Sequence, residues 1–325
     1  MTDSTTRIGR TKTTGVVVTM RNAQVSSDGT DFATALRQVA MALPVSLRAI
    51  AGLLAFVPLS LVLGVRVWNN APMALPPAVH VARPALLGLV VLGPGLAAIV
   101  LAIATDQDGI RFGLLAVGVF GLLGGYVEGA AMAAIGAIVG GGAVAIGSHL
   151  VVRREWRMDR TVGVAAMLLV ATGVSLAATS GVDPATLRPI GSTVALLGLG
   201  ATPLLVRPRL PEVGIGAAVF AGVIVLGTAA PYVTGGVVLV GGAVVGASLP
   251  VIALGVAGTL LATAATLRTR EYARALGALT LLAAGVPATI PRALGIVVGL
   301  MLLAGILRED GSGVDRSSGV AADGG

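Results

Sequence analysis

The chain contains no cysteine. That excludes disulfides, thiolate metal sites and cysteine nucleophiles together. Only two histidines are present, His80 and His149, too few for a histidine-rich metal or haem site. Charge is scarce as well. Charged residues make up 11% of the chain, against about 25% in an ordinary soluble domain. There is no GxxxxGK[ST] phosphate loop, no HExxH and no paired-aspartate motif. Ser148 and His149 do not form a catalytic pair, because adjacent residues on a helix point in different directions. These absences predict a protein with no catalytic residue, no cofactor and no metal site, and therefore not an enzyme.

What remains is apolar. Hydrophobic residues make up 55% of the 325 residues, and the mean hydropathy is +0.95. A soluble fold cannot hide that much apolar surface, so the solvent is lipid. The predicted class is an all-α polytopic integral membrane protein. Of the 22 basic residues all but Lys12 are arginine, and the net charge is +7. No basic cluster is interleaved with aromatics, so nucleic acid is not a predicted partner. The arginines read instead as anchors of cytoplasmic loops. Arginine in place of lysine, with much Ala, Gly and Val, fits a GC-rich prokaryotic genome, which predicts a prokaryotic plasma membrane.

The domain organisation follows from hydropathy. Residues 1–30 form a polar tail, too long and too weakly apolar for a signal peptide. In 31–48, Asp31 can cap a helix, and Phe32, Leu36, Val39 and Leu43 recur at helical spacing. That reads as an amphipathic helix on the membrane surface or as an extension of the first span. Residues 49–307 form one transmembrane bundle, and 308–325 a disordered polar tail. A crossing helix needs about 20 mostly apolar residues. Ten spans are predicted near 49–67, 85–104, 111–126, 129–152, 161–180, 190–206, 213–230, 235–267, 272–287 and 292–307. The segment 235–267 is too long for one crossing and short for two, with Pro250 near its middle.

Charge chooses between these. With both termini in the cytoplasm, the inner loops carry Arg111, then Arg153, Arg154, Arg157 and Arg160, then Arg207 and Arg209, then Arg268, Arg270 and Arg274. The outer loops carry only Arg66, Arg83, Arg188 and Arg292. Two crossings within 235–267 would reverse the arginines near Arg270, against the positive-inside bias. One crossing plus an interfacial or half-turned piece is the reading. All acids are expected in tails, loops or the hairpin at Glu128. Pro58, Pro94 and Pro203 are expected to kink spans. GxxxG spacing at Gly136/Gly140, Gly242/Gly246 and Gly295/Gly299 is expected to bring helices close.

The sequence also repeats. Arg154-Glu155-Trp156 recurs as Arg270-Glu271-Tyr272, and Tyr126-Val127-Glu128-Gly129 as Tyr232-Val233-Thr234-Gly235. Ala85-Leu86-Leu87-Gly88-Leu89 recurs as Ala195-Leu196-Leu197-Gly198-Leu199, and Pro184-Ala185-Thr186 as Pro287-Ala288-Thr289. The order is the same in both halves. Two four-helix units, about 83–182 and 188–287, are predicted. An even number of spans per unit makes the copies parallel.

Glu128 is the only formal charge between Arg111 and Arg153. The repeat places it at a tight outer hairpin, with Tyr126 at headgroup level and Gly129 relieving the reversal; Tyr232, Thr234 and Gly235 occupy the second hairpin. Thr234 matches Glu128 and cannot hold a charge. The candidate contacts for a partner or for lipid are the Arg-rich inner stretches: Arg153, Arg154, Glu155 and Trp156, and Arg268, Arg270, Glu271 and Tyr272. No stretch of residues carries a family resemblance. The predicted role is a membrane scaffold or accessory subunit, meeting the bilayer and a cytoplasmic or membrane protein partner. The alternative is a transporter for a neutral or amphiphilic small molecule, which would need a polar cavity at mid-membrane.

Overall fold

The structure is a computed structural model that describes residues 46–69, 77–127, 129–152, 160–179, 181, 183–229, 247–285 and 289–305. The polar tails, nearly all of the expected amphipathic stretch, and Gly242 and Gly246 lie outside the described residues. Within them the chain is helical. Lipid offers no hydrogen-bond partner, so an apolar run satisfies its backbone by coiling on itself. Ten α-helices follow in order: α1 Leu47–Asn69, α2 Pro77–Ile103, α3 Asp108–Tyr126, α4 Ala131–Val152, α5 Arg160–Thr179, α6 Pro184–Gly200, α7 Leu210–Ala229, α8 Leu249–Arg268, α9 Tyr272–Ala283 and α10 Thr289–Ala304. One turn of 3₁₀-helix, Thr202–Leu205, follows α6.

Six helical stretches are long and apolar enough to cross a membrane: Leu47–Asn69, Val81–Ile103, Asp108–Tyr126, Ala131–His149, Leu210–Ala229 and Leu249–Arg268. Their outward faces are apolar too. Phe112, Leu87 and Val225 stand 70%, 50% and 60% exposed, which is the surface of a body solvated by lipid. The last two helices are shorter. At 12 and 16 residues, α9 and α10 measure roughly 18 and 24 Å.

The core is built around α10. Every residue from Ala293 to Leu303 is buried, and the helix packs against α1, α2, α3, α4, α5 and α9. Glycines set how closely its neighbours approach. A Cβ on Gly299 would meet Gly277 O at 2.9 Å, and one on Gly295 would meet Leu59 Cδ1 at 2.9 Å. Gly136 and Gly140 share the same spacing, yet nothing lies within 4 Å of a Cβ at either. The motif is thus a contact on α10 and an open face on α4.

The prolines divide in the same way. Pro58 lies inside α1 and cannot donate to Leu54 O. Gly93 covers that freed carbonyl: a Cβ there would clash with Leu54 O and sit 2.6 Å from Pro58 Cγ. Pro203 and Pro250, by contrast, are not in span interiors. Pro203 heads the 3₁₀ turn and Pro250 stands in the first turn of α8, behind the N-cap Ser248. Proline suits helix starts because its missing N–H would be unpaired there anyway.

Helices α7 and α8 run antiparallel over their whole length. Glu212 near the start of α7 meets Arg268 at the end of α8. Gly216 faces Leu261, and Gly227 near the end of α7 faces Leu249 at the start of α8. The chain therefore leaves α7 and re-enters α8 at the same end of the bundle. The two predicted repeat units pack differently. In the first, α2 packs on α3; in the second, α6 packs on α5 and α8, and α7 packs chiefly on α8.

Gly277→Ala should lower stability by about 1–3 kcal/mol through overpacking, because its Cβ would come 2.8 Å from Gly299 O and 2.7 Å from Leu303 N. Gly136→Ala should be neutral or gain up to about 1 kcal/mol. Thermal unfolding of both variants in detergent tests the contrast.

Candidate functional site

Helix α6 stops early. Its end abuts the middle of α8: a Cβ on Gly258 would fall 2.7 Å from Gly200 Cα, and one on Gly255 would fall 2.9 Å from Leu196 Cδ2. Gly258 lies nine residues into the 20-residue α8, so α6 ends about halfway along its neighbour. From there to Arg209 the chain is one 3₁₀ turn and then extended backbone, with Val206 at φ −119° and ψ 164°. Irregular backbone at such depth is tolerated only where protein satisfies it.

The partners can be named. Ala201 N donates to Leu197 O at 2.9 Å, Leu204 N to Ala201 O at 3.0 Å and Val206 N to Pro203 O at 3.2 Å. The buried Thr202 hydroxyl donates to Leu199 O at 2.7 Å. Leu205 O takes Arg274 Nη2 at 2.7 Å. The same guanidinium donates through Nε to Leu303 O at 2.7 Å and through Nη1 to Glu271 Oε2 at 2.6 Å. Leu303 O is among the last carbonyls of α10, which the helix itself leaves without a donor. One side chain in the first turn of α9 thus ties the 3₁₀ turn to the end of the central helix.

Glu212 closes the other side. It is buried, 4% exposed, at the third position of α7. Its Oε2 accepts the backbone N–H of Arg209, the residue before the helix, which is one half of a capping box. Its Oε1 takes Arg268 Nε. A carboxylate at a helix N-terminus is also favoured by the helix dipole. Glu212 corrects the expectation that acids lie only in loops and the Glu128 hairpin. The signal in the sequence was Arg209-Leu-Pro-Glu212, a proline and a glutamate opening an apolar run.

The end of α8 carries a strained residue. Arg270 N donates to Leu267 O at 3.0 Å and Glu271 N to Thr266 O at 2.9 Å. That is a Schellman motif, whose left-handed position usually holds glycine. Here it holds Arg270, at φ +59°, a conformation that costs an L-residue about 1–2 kcal/mol.

Of the expected contact residues, Arg268 and Glu271 are engaged inside the protein, with Glu212 and Arg274. Arg270 is exposed, and Tyr272 is 60% exposed. Arg153, Arg154, Glu155, Trp156, Glu128, Tyr232, Thr234 and Gly235 lie outside the described residues. At the first hairpin, Tyr126 is 57% exposed and its hydroxyl donates to Gly88 O at 3.2 Å, tying α3 to α2. Gly129 adopts φ +82° in the turn to α4. Arg292, expected in an outer loop, lies in the first turn of α10.

Five of the buried threonines bond within their own helices. Thr172, Thr259, Thr263, Thr266 and Thr280 each donate to a carbonyl one turn back in their own helix, at 2.7–2.9 Å. Among the described residues no group of three or more acids or histidines could hold a metal ion.

Residues 48–304 match the integral membrane family of unknown function DUF8068, and the chain belongs to that family. No curated protein and no solved structure matches it.

Two substitutions separate clamp from strain. Glu212→Ala leaves Arg268 and the Arg209 N–H without their acceptor and should cost about 1–3 kcal/mol. Arg270→Gly should gain about 1 kcal/mol in neutral detergent by relieving the left-handed backbone. Thermal unfolding of each variant reads the sign.

Proposed function

We propose that this membrane protein is a scaffold or accessory subunit without catalytic activity, crossing a prokaryotic plasma membrane ten times with both termini in the cytoplasm. The observation that supports the role is the filled centre. Helix α10 is enclosed by six others, and on two of them the hydroxyls of Thr172 and Thr280 bond within their own helices. The Glu212–Arg268 and Glu271–Arg274 ion pairs lie at the arginine-rich end, where Arg274 and Glu212 hold backbone together. Such an interior resists a moving solute and suits a rigid platform. The ten crossings are supported by the ten helices of the described residues and by the antiparallel α7–α8 pair, which makes the segment between them start and finish on one side. The parallel duplication is supported by the shared order of motifs; the different packing of α6 implies that the second copy has diverged.

The platform would meet its partner through the inner loops. With Arg268 and Glu271 engaged internally, the candidate docking residues are Arg153, Arg154, Glu155 and Trp156, with Tyr272 beside them in the repeat pattern. One observation favours the transporter instead. Helix α6 breaks at mid-depth beside Gly258 and Thr259, and broken helices often mark transport sites. Solute uptake by proteoliposomes holding the pure chain would favour that second reading.

Cysteines placed at Ser4 and Ser317 should react with an impermeant thiol reagent only after cells are opened. Labelling of either in intact cells contradicts the topology. Arg154→Gln combined with Trp156→Ala should insert normally yet lose a protein that co-purifies with the wild type. Unchanged co-purification removes the docking role from that loop.

A further inference from the structure

We infer that the corner where the stretch after α6 meets α7, α8 and α9 is a binding site for the headgroup of an anionic phospholipid, held by Arg207, Arg209 and Arg270. The clamp brings these residues together. Glu212 bridges the Arg209 backbone to Arg268, and Arg274 bridges Leu205 to the start of α9. The stretches 204–210 and 267–274 are therefore stitched side by side. Together they carry five arginines and one carboxylate, Glu271, and Glu212 lies two residues beyond the first stretch. Both carboxylates are taken, Glu212 by Arg268 and Glu271 by Arg274. Among the described residues no carboxylate pairs with Arg207, Arg209 or Arg270, and all three are exposed.

The surroundings are those of the boundary between headgroups and acyl chains. Leu204, Leu210 and Leu267 stand 51%, 87% and 48% exposed, and Tyr272 60%. Exposed leucines beside guanidinium groups suit neither water nor hydrocarbon alone, whereas a phospholipid offers a phosphate to the arginines and chains to the leucines. Tyrosine is at home at that depth. Arginine also fits phosphate better than lysine does, through paired N–H donors in one plane. The backbone supplies an independent pointer. Arg270 occupies a left-handed position that glycine would fill without strain, and strain held at one residue is explained when its side chain is required there. The inference needs only that the chain sits in a bilayer. It does not depend on the scaffold role or on which side the corner faces, because the test uses the pure chain without partners.

The experiment is thermal unfolding of the purified full chain in neutral detergent, with phosphatidylglycerol, phosphatidylcholine or inorganic phosphate added, alongside native mass spectrometry of retained lipid. The wild type should gain more Tm from phosphatidylglycerol than from phosphatidylcholine, and inorganic phosphate should give no such gain. Arg207→Gln, Arg209→Gln and Arg270→Gln together should abolish the extra gain, weaken phosphatidylglycerol retention at least tenfold and leave the phosphatidylcholine response unchanged. Should the triple variant fail to fold, Arg270→Gly serves alone: it should raise Tm in detergent while reducing the phosphatidylglycerol increment. Equal responses to the two lipids, or an increment that survives the substitutions, overturns the proposal. An equal shift with inorganic phosphate reassigns the corner to a free anion and also overturns it.

Discussion

A backbone amide or carbonyl inside a membrane has no water to turn to, and this fold leaves ordinary helix within the bundle after Gly200. Everything at the arginine-rich end depends on meeting that demand. The backbone from Ala201 to Arg209 is satisfied partly by its own 3₁₀ turn and partly by two charged side chains from other helices. Arg274 takes Leu205 O and Leu303 O together. Glu212 takes the Arg209 N–H and fixes Arg268 against α7. Buried charges are costly in isolation. Here each is joined to an opposite charge and to backbone.

The same economy of close approach runs through the rest of the bundle. Gly93 covers the carbonyl that Pro58 sets free, and Gly258 admits the end of α6. Gly277 and Gly299 let α9 lie on the central helix backbone to backbone. In lipid there is little hydrophobic drive for helices to associate, so contact of this kind and polar bonding must hold them. That explains why a helix as short as α9 keeps its place: it presents glycine to α10 on one face and Arg274 at its start.

Much of this architecture was legible in the sequence, and the illegible part has a physical cause. Hydropathy located the helices, because any long apolar run in lipid must coil. It could not say that α10 lies at the centre and α7 at the perimeter, because protein-facing and lipid-facing sides are equally apolar. Spacing alone could not separate Gly136 from Gly299. Only a neighbour distinguishes an open glycine from a contact. Pro203 read as a kink and proved to head a 3₁₀ turn, since a proline signals an interrupted hydrogen bond without saying which side of it the helix lies. The candidate residues divide similarly. Arg268 and Glu271 were found as a charged cluster, yet their engagement with Glu212 and Arg274 needed the long-range fold. Arg270 was found by its charge, whereas its left-handed backbone, the more informative feature, leaves no trace in composition.

Hydrogen–deuterium exchange of the segment 201–209, in the full chain held in lipid nanodiscs, tests the clamp most directly. The account predicts slow exchange at Leu204, Val206 and Arg209 in the wild type. It predicts fast exchange at Leu204 and Val206 in Arg274→Gln, with α6 and α8 still protected. Rapid exchange in the wild type, or a segment that stays protected without Arg274, would contradict it.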